Sequence, residues 1–325
     1  DGRARTQWNR KLYGDDLWAT FRELKSAFDP DWLLNPGNVC GDHDPTETLR
    51  YDPDYTFEAG FEPTLNWDTE NGFQGMVELC HGCAGCTGHQ ETTGGVMCPT
   101  YRAAEEEITS TRGRANMLRS AMDGDLPEDP TDEAFVTEVL DLCIGCKGCK
   151  KDCPSGVDMA KLKAEVVHEH HQRDGISLRD KLFANVETVL SLGSTFAPVS
   201  NWLMDVPGTG EIMERAVGIS SERTLPGFHR TTFRDWMDER GGSNVPERHA
   251  DRKALVLADP YTDYSHPEVG TATVRVLEAA GVHVVVPDDV TDSGRPAFSK
   301  SMLDHARETA HGNVEALTPW IRDGW

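Results

Sequence analysis

The sequence predicts a mixed α/β fold that is mostly helical, in which a cysteine-rich helical domain precedes a βαβ unit. Apolar residues recur at helical spacing over much of the chain. Eight of the nine cysteines lie in two short runs, and a strand–helix–strand pattern occupies the end of the chain. With 325 residues, the chain has room for two or three domains.

Composition and periodicity divide the chain into five segments. The second is acidic, rich in Pro, Asp, Thr and Gly, and has no sustained period. The third alternates cysteine loops with helical patterns, and the last changes to β-rich runs. The predicted segments are a helical piece at 1–40, an acidic linker at 41–74, a cysteine-rich domain at 75–175, a helical connector at 176–250 and an α/β domain at 251–325.

Helices are predicted where apolar spacing coincides with helix start and stop signals. The predicted helices cover 9–29, which ends before an Asn-Pro-Gly turn, 105–122, 131–143 with Thr131 as the N-cap, and 156–175.

The last segment predicts a parallel pair of strands. The runs KALVLAD (253–259) and VHVVVPDD (282–289) are β-rich, and the helical pattern 267–281 lies between them. Strand, helix and strand at this length indicate a βαβ unit.

The chain is strongly acidic, with 55 acidic and 32 basic residues and a net charge of −23. Such a field repels nucleic acid and anionic membrane surfaces. Because the acidic residues are spread along the chain, they favour a halophilic surface over recognition of a basic partner.

We expect neither a membrane span nor a signal peptide in this sequence. No run approaches the ~20 apolar residues of a membrane span, and no signal-peptide pattern opens the chain. We expect a cytoplasmic protein, or one held peripherally at the inner face of the membrane, that binds no nucleic acid and has no transmembrane segment. The sequence begins at Asp1, in what resembles the interior of a longer folded region. We therefore expect a fragment of a longer protein.

The two cysteine runs carry the strongest functional signal. The second has the spacing C-x2-C-x2-C-x3-C-P, which is the bacterial ferredoxin ligand run; the first stretches its last gap to eleven residues. Three closely spaced thiolates bind one cubane, and the fourth cysteine of each run ligates the other cluster. This predicts a two-cluster, α-helical ferredoxin domain. The predicted ligands are Cys80, Cys83, Cys86 and Cys153 for cluster 1, and Cys143, Cys146, Cys149 and Cys98 for cluster 2.

Other uses of the cysteines fit the spacing less well. Zinc ribbons use Cys-x-x-Cys pairs rather than triplets. A disulfide framework requires an oxidising compartment. Cys40 is left over, and we expect a small buried or free thiol.

Three arginines follow the first cysteine run. Arg102, Arg112 and Arg114 would offset the acidic field locally if they faced a cluster. The alternative is that they are surface charges of a helix.

Several stretches of the chain resemble a known protein family. FRELKSAFDPDWLLNPGNV (21–39) resembles the C-terminal end of FAD-linked oxidases of the D-lactate dehydrogenase and glycolate oxidase type. The resemblance implies that the turn formed by Asn35, Pro36 and Gly37 lies near FAD in the intact family. The flavin domain itself is absent from this sequence.

The cysteine region resembles the iron–sulfur part of the same fused proteins. The matching stretches are MCPTYRA (97–103), EEEITSTRGRANMLRSAMDG (105–124) and CIGCKGCKKDCPSGVDMAKLKAEV (143–166). The iron–sulfur subunit of glycerol-3-phosphate dehydrogenase shares this pattern.

Residues 257–289 resemble the start of a cysteine-rich domain found in these enzymes and in heterodisulfide reductase. That domain carries a Cys-Cys-Gly motif where this chain reads TDSGRP (291–296). The domain therefore cannot bind a thiolate-ligated cluster through that motif.

The resemblance implies an oxidoreductase in which a flavin oxidises a 2-hydroxy acid such as D-lactate or glycolate. Two [4Fe-4S] clusters would relay the electrons to an acceptor, either a quinone or a soluble carrier. The implied partner is a flavin-containing domain or subunit, without which we expect this chain to be inactive. The resemblance assigns no catalytic residue in this sequence.

Two alternative functions stay open. One is a non-catalytic interaction subunit with structural clusters. The other is an iron–sulfur subunit like that of glycerol-3-phosphate dehydrogenase or heterodisulfide reductase; the missing Cys-Cys-Gly motif argues against the heterodisulfide reductase type.

Overall fold

The computed structural model confirms a mixed α/β class that is mostly helical. Its described residues form many helices and one two-stranded parallel sheet, and they divide into two compact units, Asp1–Glu58 and Ala59–Trp325. Within these residues, every helix is too short or too polar to cross a membrane. The described residues are 2–47, 49, 51, 54–89, 95–127, 129–249, 252–290 and 292–325.

The first unit contains helices α1 (Thr6–Tyr13) and α2 (Asp15–Phe28). A single helix was predicted here. Gly14, with φ of 80°, interrupts it because this left-handed conformation cannot continue a right-handed helix. Of the apolar residues that predicted the helix, Trp18 is buried, whereas Phe28 is 85% exposed.

The second unit begins with the helices around the cysteine runs. The predicted helix at 105–122 starts later, at residue 111, because Ser110 caps it by accepting the Gly113 N–H at 2.8 Å. These helices are α3 (Gly72–Glu78), α4 (Pro99–Ala104), α5 (Thr111–Met122), α6 (Glu133–Phe135, continued as a π-helix over Val136–Leu140), α7 (Gly148–Asp152) and α8 (Met159–Asp174).

The predicted cap of α6 is wrong. Asp132, not Thr131, precedes the helix, and no side chain caps it. The Thr131 hydroxyl instead donates to the Asp129 carboxylate at 2.5 Å and accepts from Arg173 at 2.8 Å. The threonine therefore closes a turn and joins it to α8.

A run of helices connects the cysteine region to the sheet. They are α9 (Leu178–Ala184), α10 (Val186–Thr195), α11 (Ala197–Asp205), α12 (Thr209–Val217) and α13 (Phe233–Glu239).

The predicted parallel pair is present near the end of the chain. Strand β1 pairs with β2 in register from Arg252 opposite Val282 to Leu255 opposite Val285. Two helices rather than one make the crossover. The elements are β1 (Arg252–Leu255), α14 (Pro260–Tyr264), α15 (Pro267–Ala279), β2 (Val282–Val285), α16 (Arg295–Ser299) and α17 (Leu303–Arg322).

The sheet packs on α13 and α15 around a small apolar core. Phe233 and Val274 are fully buried, and Val284 is 1% exposed. Gly270 permits the close approach of α15 to α13, since a Cβ there would lie 2.5 Å from the Phe233 ring.

A buried carboxylate fixes part of the predicted acidic linker. Glu165, 1% exposed on α8, accepts the Leu65 N–H at 3.0 Å, the Trp67 indole N–H at 2.9 Å and the Thr64 N–H. Lys161 lies 3.8 Å from the centre of the Trp67 ring. The chain around residue 65 is thus held against α8, although the five-segment division itself stays a prediction.

We predict that Glu165→Ala lowers the free energy of unfolding by about 3 kcal/mol, because it leaves three inward-facing N–H donors without their acceptor. Anaerobic urea unfolding of the metal-loaded chain measures the loss. Glu169→Ala is the control, since Glu169 on the same helix has no hydrogen-bond or ion-pair partner among the described residues. An equal loss in both variants would contradict the role of Glu165.

Candidate metal centre

The two cysteine triplets lie on loops with the same backbone conformation. Gly82 and Gly145, just before the middle cysteines, have φ of 78° and 64°. Ala84 and Lys147, just after them, have φ of 62° and 58°. Left-handed residues at both positions curl each loop around its cysteines. The repeat in cysteine spacing is therefore also a repeat in local structure.

Each triplet faces a small cavity that also contains a cysteine of the other run. Thr111, the first residue of α5, lines both cavities. The cysteines of the first cavity are Cys80, Cys83, Cys86 and Cys153. Those of the second cavity are Cys98, Cys143, Cys146 and Cys149.

Solvent exposure of the last three cysteines follows the same order in both runs. The middle cysteine of each triplet is exposed, the third is buried, and the fourth cysteine of each run is partly buried. Exposed are Cys83 and Cys146; buried are Cys80, Cys86 and Cys149; partly buried are Cys98, Cys143 and Cys153.

One carboxylate joins the two runs. Asp152, next to Cys153, accepts the N–H groups of Val96 at 2.6 Å and Met97 at 3.0 Å. Gly95 allows this approach, because a Cβ there would lie 2.2 Å from an Asp152 oxygen. The segment that carries the fourth cysteine of the first run is thereby held beside the second run. Sequence reasoning missed Asp152, since nothing in a local pattern indicates a contact across 55 residues.

Arg102 also holds this segment. Its guanidinium donates to the Met97 carbonyl at 2.6 and 3.1 Å and to the Gly95 carbonyl at 3.3 Å. Arg102 thus fixes the backbone of the segment from Gly95 to Met97.

Arg114 is a buried cation at the second cavity, and the surface-charge alternative is wrong for it. It is 1% exposed and donates to the Val139 carbonyl at 2.9 Å and to the Thr100 hydroxyl at 3.3 Å. Its Nη1 lies 3.8 Å from the Cys98 sulfur, and its Nη2 has no hydrogen-bond partner among the described residues. A permanently charged group with an unpaired N–H beside four thiols fits an anionic occupant.

Arg112 serves the first cavity through its backbone. Its N–H donates to the Cys86 sulfur at 3.3 Å, while its side chain pairs with Glu107 at 2.6 and 2.8 Å. An amide directed at a sulfur stabilises negative charge there.

The thiols differ in acidity. Burial raises the pKa of the Cys149 thiol to about 11 and raises the pKa of Cys86 as well. Burial also acts to raise the pKa of Cys98, but hydrogen bonds from Thr100 and Tyr101 and the charge of Arg114 outweigh it and lower that pKa. Cationic metal must displace the protons of the buried thiols when it binds.

The four cysteines around each cavity match a cubane in ligand type and number. No set of three or more His, Cys, Asp or Glu side chains in the described residues is arranged to hold a single metal ion. Zinc needs its sulfur ligands about 2.3 Å from one centre. The thiolates around a cubane bind separate irons and are set further apart, so the residues present fit an iron–sulfur cluster.

The predicted flavin-facing turn lies in the first unit. Asn35 and Gly37 have φ of 50° and 74°, and Asn38 donates to the Asn35 side chain at 2.7 Å. Pro36 lies between them. The proximity of this turn to FAD stays a prediction. Cys40 is a buried free thiol, as predicted.

Two family models match parts of the chain. Residues 76–157 match the 4Fe-4S dicluster domain, and residues 1–39 match the C-terminal domain of FAD linked oxidases. No solved structure matches the chain.

Several curated proteins are similar. D-2-hydroxyglutarate dehydrogenase of Escherichia coli K12 is 24% identical over 98% of this chain and 35% of its own length. The probable glycolate oxidase iron-sulfur subunit of Bacillus subtilis 168 is 35% identical over 81% of the chain and 59% of its own length. The glycolate oxidase iron-sulfur subunit of Escherichia coli K12 is 22% identical over 77% of the chain and 54% of its own length.

The chain spans about a third of the length of the D-2-hydroxyglutarate dehydrogenases that it matches. The two family matches fall on the segments whose residues indicated a flavin-oxidase end and an iron–sulfur region. The chain thus resembles the C-terminal part of FAD-linked oxidases of the D-lactate dehydrogenase and glycolate oxidase type that are fused to an iron–sulfur domain.

Proposed function

We propose that this chain is the iron–sulfur relay of a flavin-dependent 2-hydroxy acid dehydrogenase and that it holds two [4Fe-4S] clusters. The observation that carries the proposal is the pair of cavities, each lined by three cysteines of one run and the fourth cysteine of the other. The same crossed pattern is typical of two-cluster ferredoxins.

The proposed ligand sets follow the two cavities. Bound clusters would take up and release single electrons there. The first set is Cys80, Cys83, Cys86 and Cys153, and the second is Cys143, Cys146, Cys149 and Cys98.

Groups of this chain would stabilise the negative charge that each set gains on reduction. The Arg112 N–H does so at the first cavity, and the Arg114 guanidinium does so at the second. Both act against the acidic net charge of −23, which on its own lowers reduction potentials.

The two proposed clusters share a wall. Thr111, 3% exposed, lines both cavities. Electron exchange between the clusters would therefore pass the buried Thr111 at the start of α5.

The first unit supplies the proposed contact with a flavin-containing domain. Large apolar side chains remain exposed on it, at 85% for Phe28, 75% for Leu33, 72% for Leu12 and 70% for Leu34. Clusters of exposed apolar groups mark interaction surfaces. Because residues 1–39 match the C-terminal domain of FAD linked oxidases, we propose the flavin domain as the occupant, with the Asn-Pro-Gly turn directed toward FAD.

The substrate class is proposed from the relatives. Four of them are D-2-hydroxyglutarate dehydrogenases that align with at least 94% of this chain. A 2-hydroxy acid would thus be oxidised at the flavin, and electrons would leave this chain for a quinone or a soluble carrier. No described residue is proposed to contact the substrate.

We predict that the chain, reconstituted anaerobically with iron and sulfide, binds about eight of each per molecule. Dithionite should reduce it and produce paramagnetic signals with spin–spin coupling between neighbouring clusters. Metal analysis and electron paramagnetic resonance check both points. About four irons, or zinc in their place, would rule out two cubanes. Clusters that dithionite cannot reduce would favour the structural alternative over the relay.

We predict that Asp152→Ala reduces the iron content to about half, since the segment that carries Cys98 loses its anchor to the second run. Lys151→Ala is the control, because Lys151 is the exposed neighbour and has no partner among the described residues. Iron analysis after identical reconstitution compares them. Full iron content in Asp152→Ala would contradict the anchoring role.

A further inference from the structure

A large cavity lies beside the second cysteine loop. Its volume is about 640 Å³, and its walls come from the loop at 143–147, from α8 and from the segment 295–301. This size is within the range of small-molecule sites. Cys143 and Cys146 of the second proposed set line one wall of it, but its other lining residues belong to neither ligand set.

The cavity is positively charged in a strongly acidic chain. Its lining contains one carboxylate, that of Asp141. The same lining contains four cations from three parts of the chain, although acidic residues outnumber basic ones by 55 to 32 in the whole chain. The cations are Lys147, Lys163, Arg295 and Lys300.

Carboxylates outside the cavity neutralise two of these cations. Lys300 pairs with Asp180 at 2.8 Å, and Lys147 lies 3.3 Å from Asp158. These two lysines alone would give no net attraction for an anion.

The other two cations have no carboxylate within ion-pair distance among the described residues. Lys163 donates to the main-chain carbonyls of Asp141 at 3.1 Å and Cys143 at 2.8 Å. Arg295 is exposed, and its side chain has no hydrogen-bond or ion-pair partner within the part of the chain that the structure describes. A guanidinium with all its donors available matches a phosphate or carboxylate in shape.

We propose that this cavity binds the phosphate or carboxylate group of a small molecule, with Arg295 as the principal contact and Lys163 as the second. Ile144, Phe298 and Ala160 supply apolar walls for the rest of that molecule. Charged groups beside apolar walls are the usual composition of a ligand site.

A ligand in this cavity lies against the backbone of the second triplet. Its negative charge lowers the reduction potential of a cluster held by that triplet. This consequence rests on the proposed relay function, whereas anion binding itself does not.

The test is calorimetric titration of the cluster-loaded full chain, in a chloride buffer of low ionic strength, with inorganic phosphate and separately with glutarate. We expect saturable binding of at least one anion. Arg295→Gln should weaken that binding about tenfold or more, because it removes a charge-assisted pair of hydrogen bonds. Arg322→Gln is the matched control: Arg322 is exposed, and the change in net charge is the same, but the residue does not line the cavity.

The two anions distinguish the source of the ligand. Binding of phosphate alone indicates a phosphate-bearing molecule, and binding of glutarate alone indicates a carboxylate; either supports the site. No saturable binding of either anion at millimolar concentration would overturn the proposal. Equal affinity in wild type and Arg295→Gln would overturn it too.

A redox titration tests the position beside the second triplet. At an anion concentration that just saturates the wild type, the bound anion should lower the midpoint potential of one cluster, and the shift should be much smaller in Arg295→Gln. Binding without any shift would contradict that position, even if both clusters are present and reducible.

Discussion

The structure depends on one constraint: cysteines from two separate runs must line the same two cavities. The loops alone do not produce this arrangement, because the fourth cysteine in each cavity comes from the other run. Asp152 brings the runs together by accepting the N–H groups of Val96 and Met97, and Gly95 leaves room for its carboxylate. The start of α5 lies between the two cavities, and Thr111 lines both of them.

Charge is distributed to suit this arrangement. The chain as a whole carries −23, yet buried or partly buried cations stand where the thiols gather. Arg114 lines the second cavity, and one of its nitrogens has no partner in the part of the chain that the structure describes; Lys163 donates to the carbonyl of Cys143. A buried cation without a carboxylate is unfavourable unless an anion lies nearby. The local exceptions to the acidic composition therefore coincide with the proposed redox centre and with the adjoining cavity.

Local sequence patterns predicted the helices, strands and cysteine loops. They did not predict contacts between residues far apart in the sequence. Cysteine spacing indicated the loops, helical periodicity indicated α8, and β-rich runs indicated the parallel pair. The same reasoning missed the break at Gly14, because apolar spacing continues across it. It also missed Glu165, whose partners lie 98 to 101 residues away. A polar residue in a helical pattern is expected to be exposed to solvent. Only the folded structure shows that Glu165 is buried.

The measurement that tests the interleaving most directly is the iron content of two double variants. Cys83→Ala with Cys153→Ala removes two ligands of one proposed set, so about four irons should remain. Cys83→Ala with Cys98→Ala removes one ligand from each set, so both clusters should be impaired and the iron content should fall well below that. The opposite order, with more iron retained in the second pair, would show that each run holds its own cluster and would contradict the account.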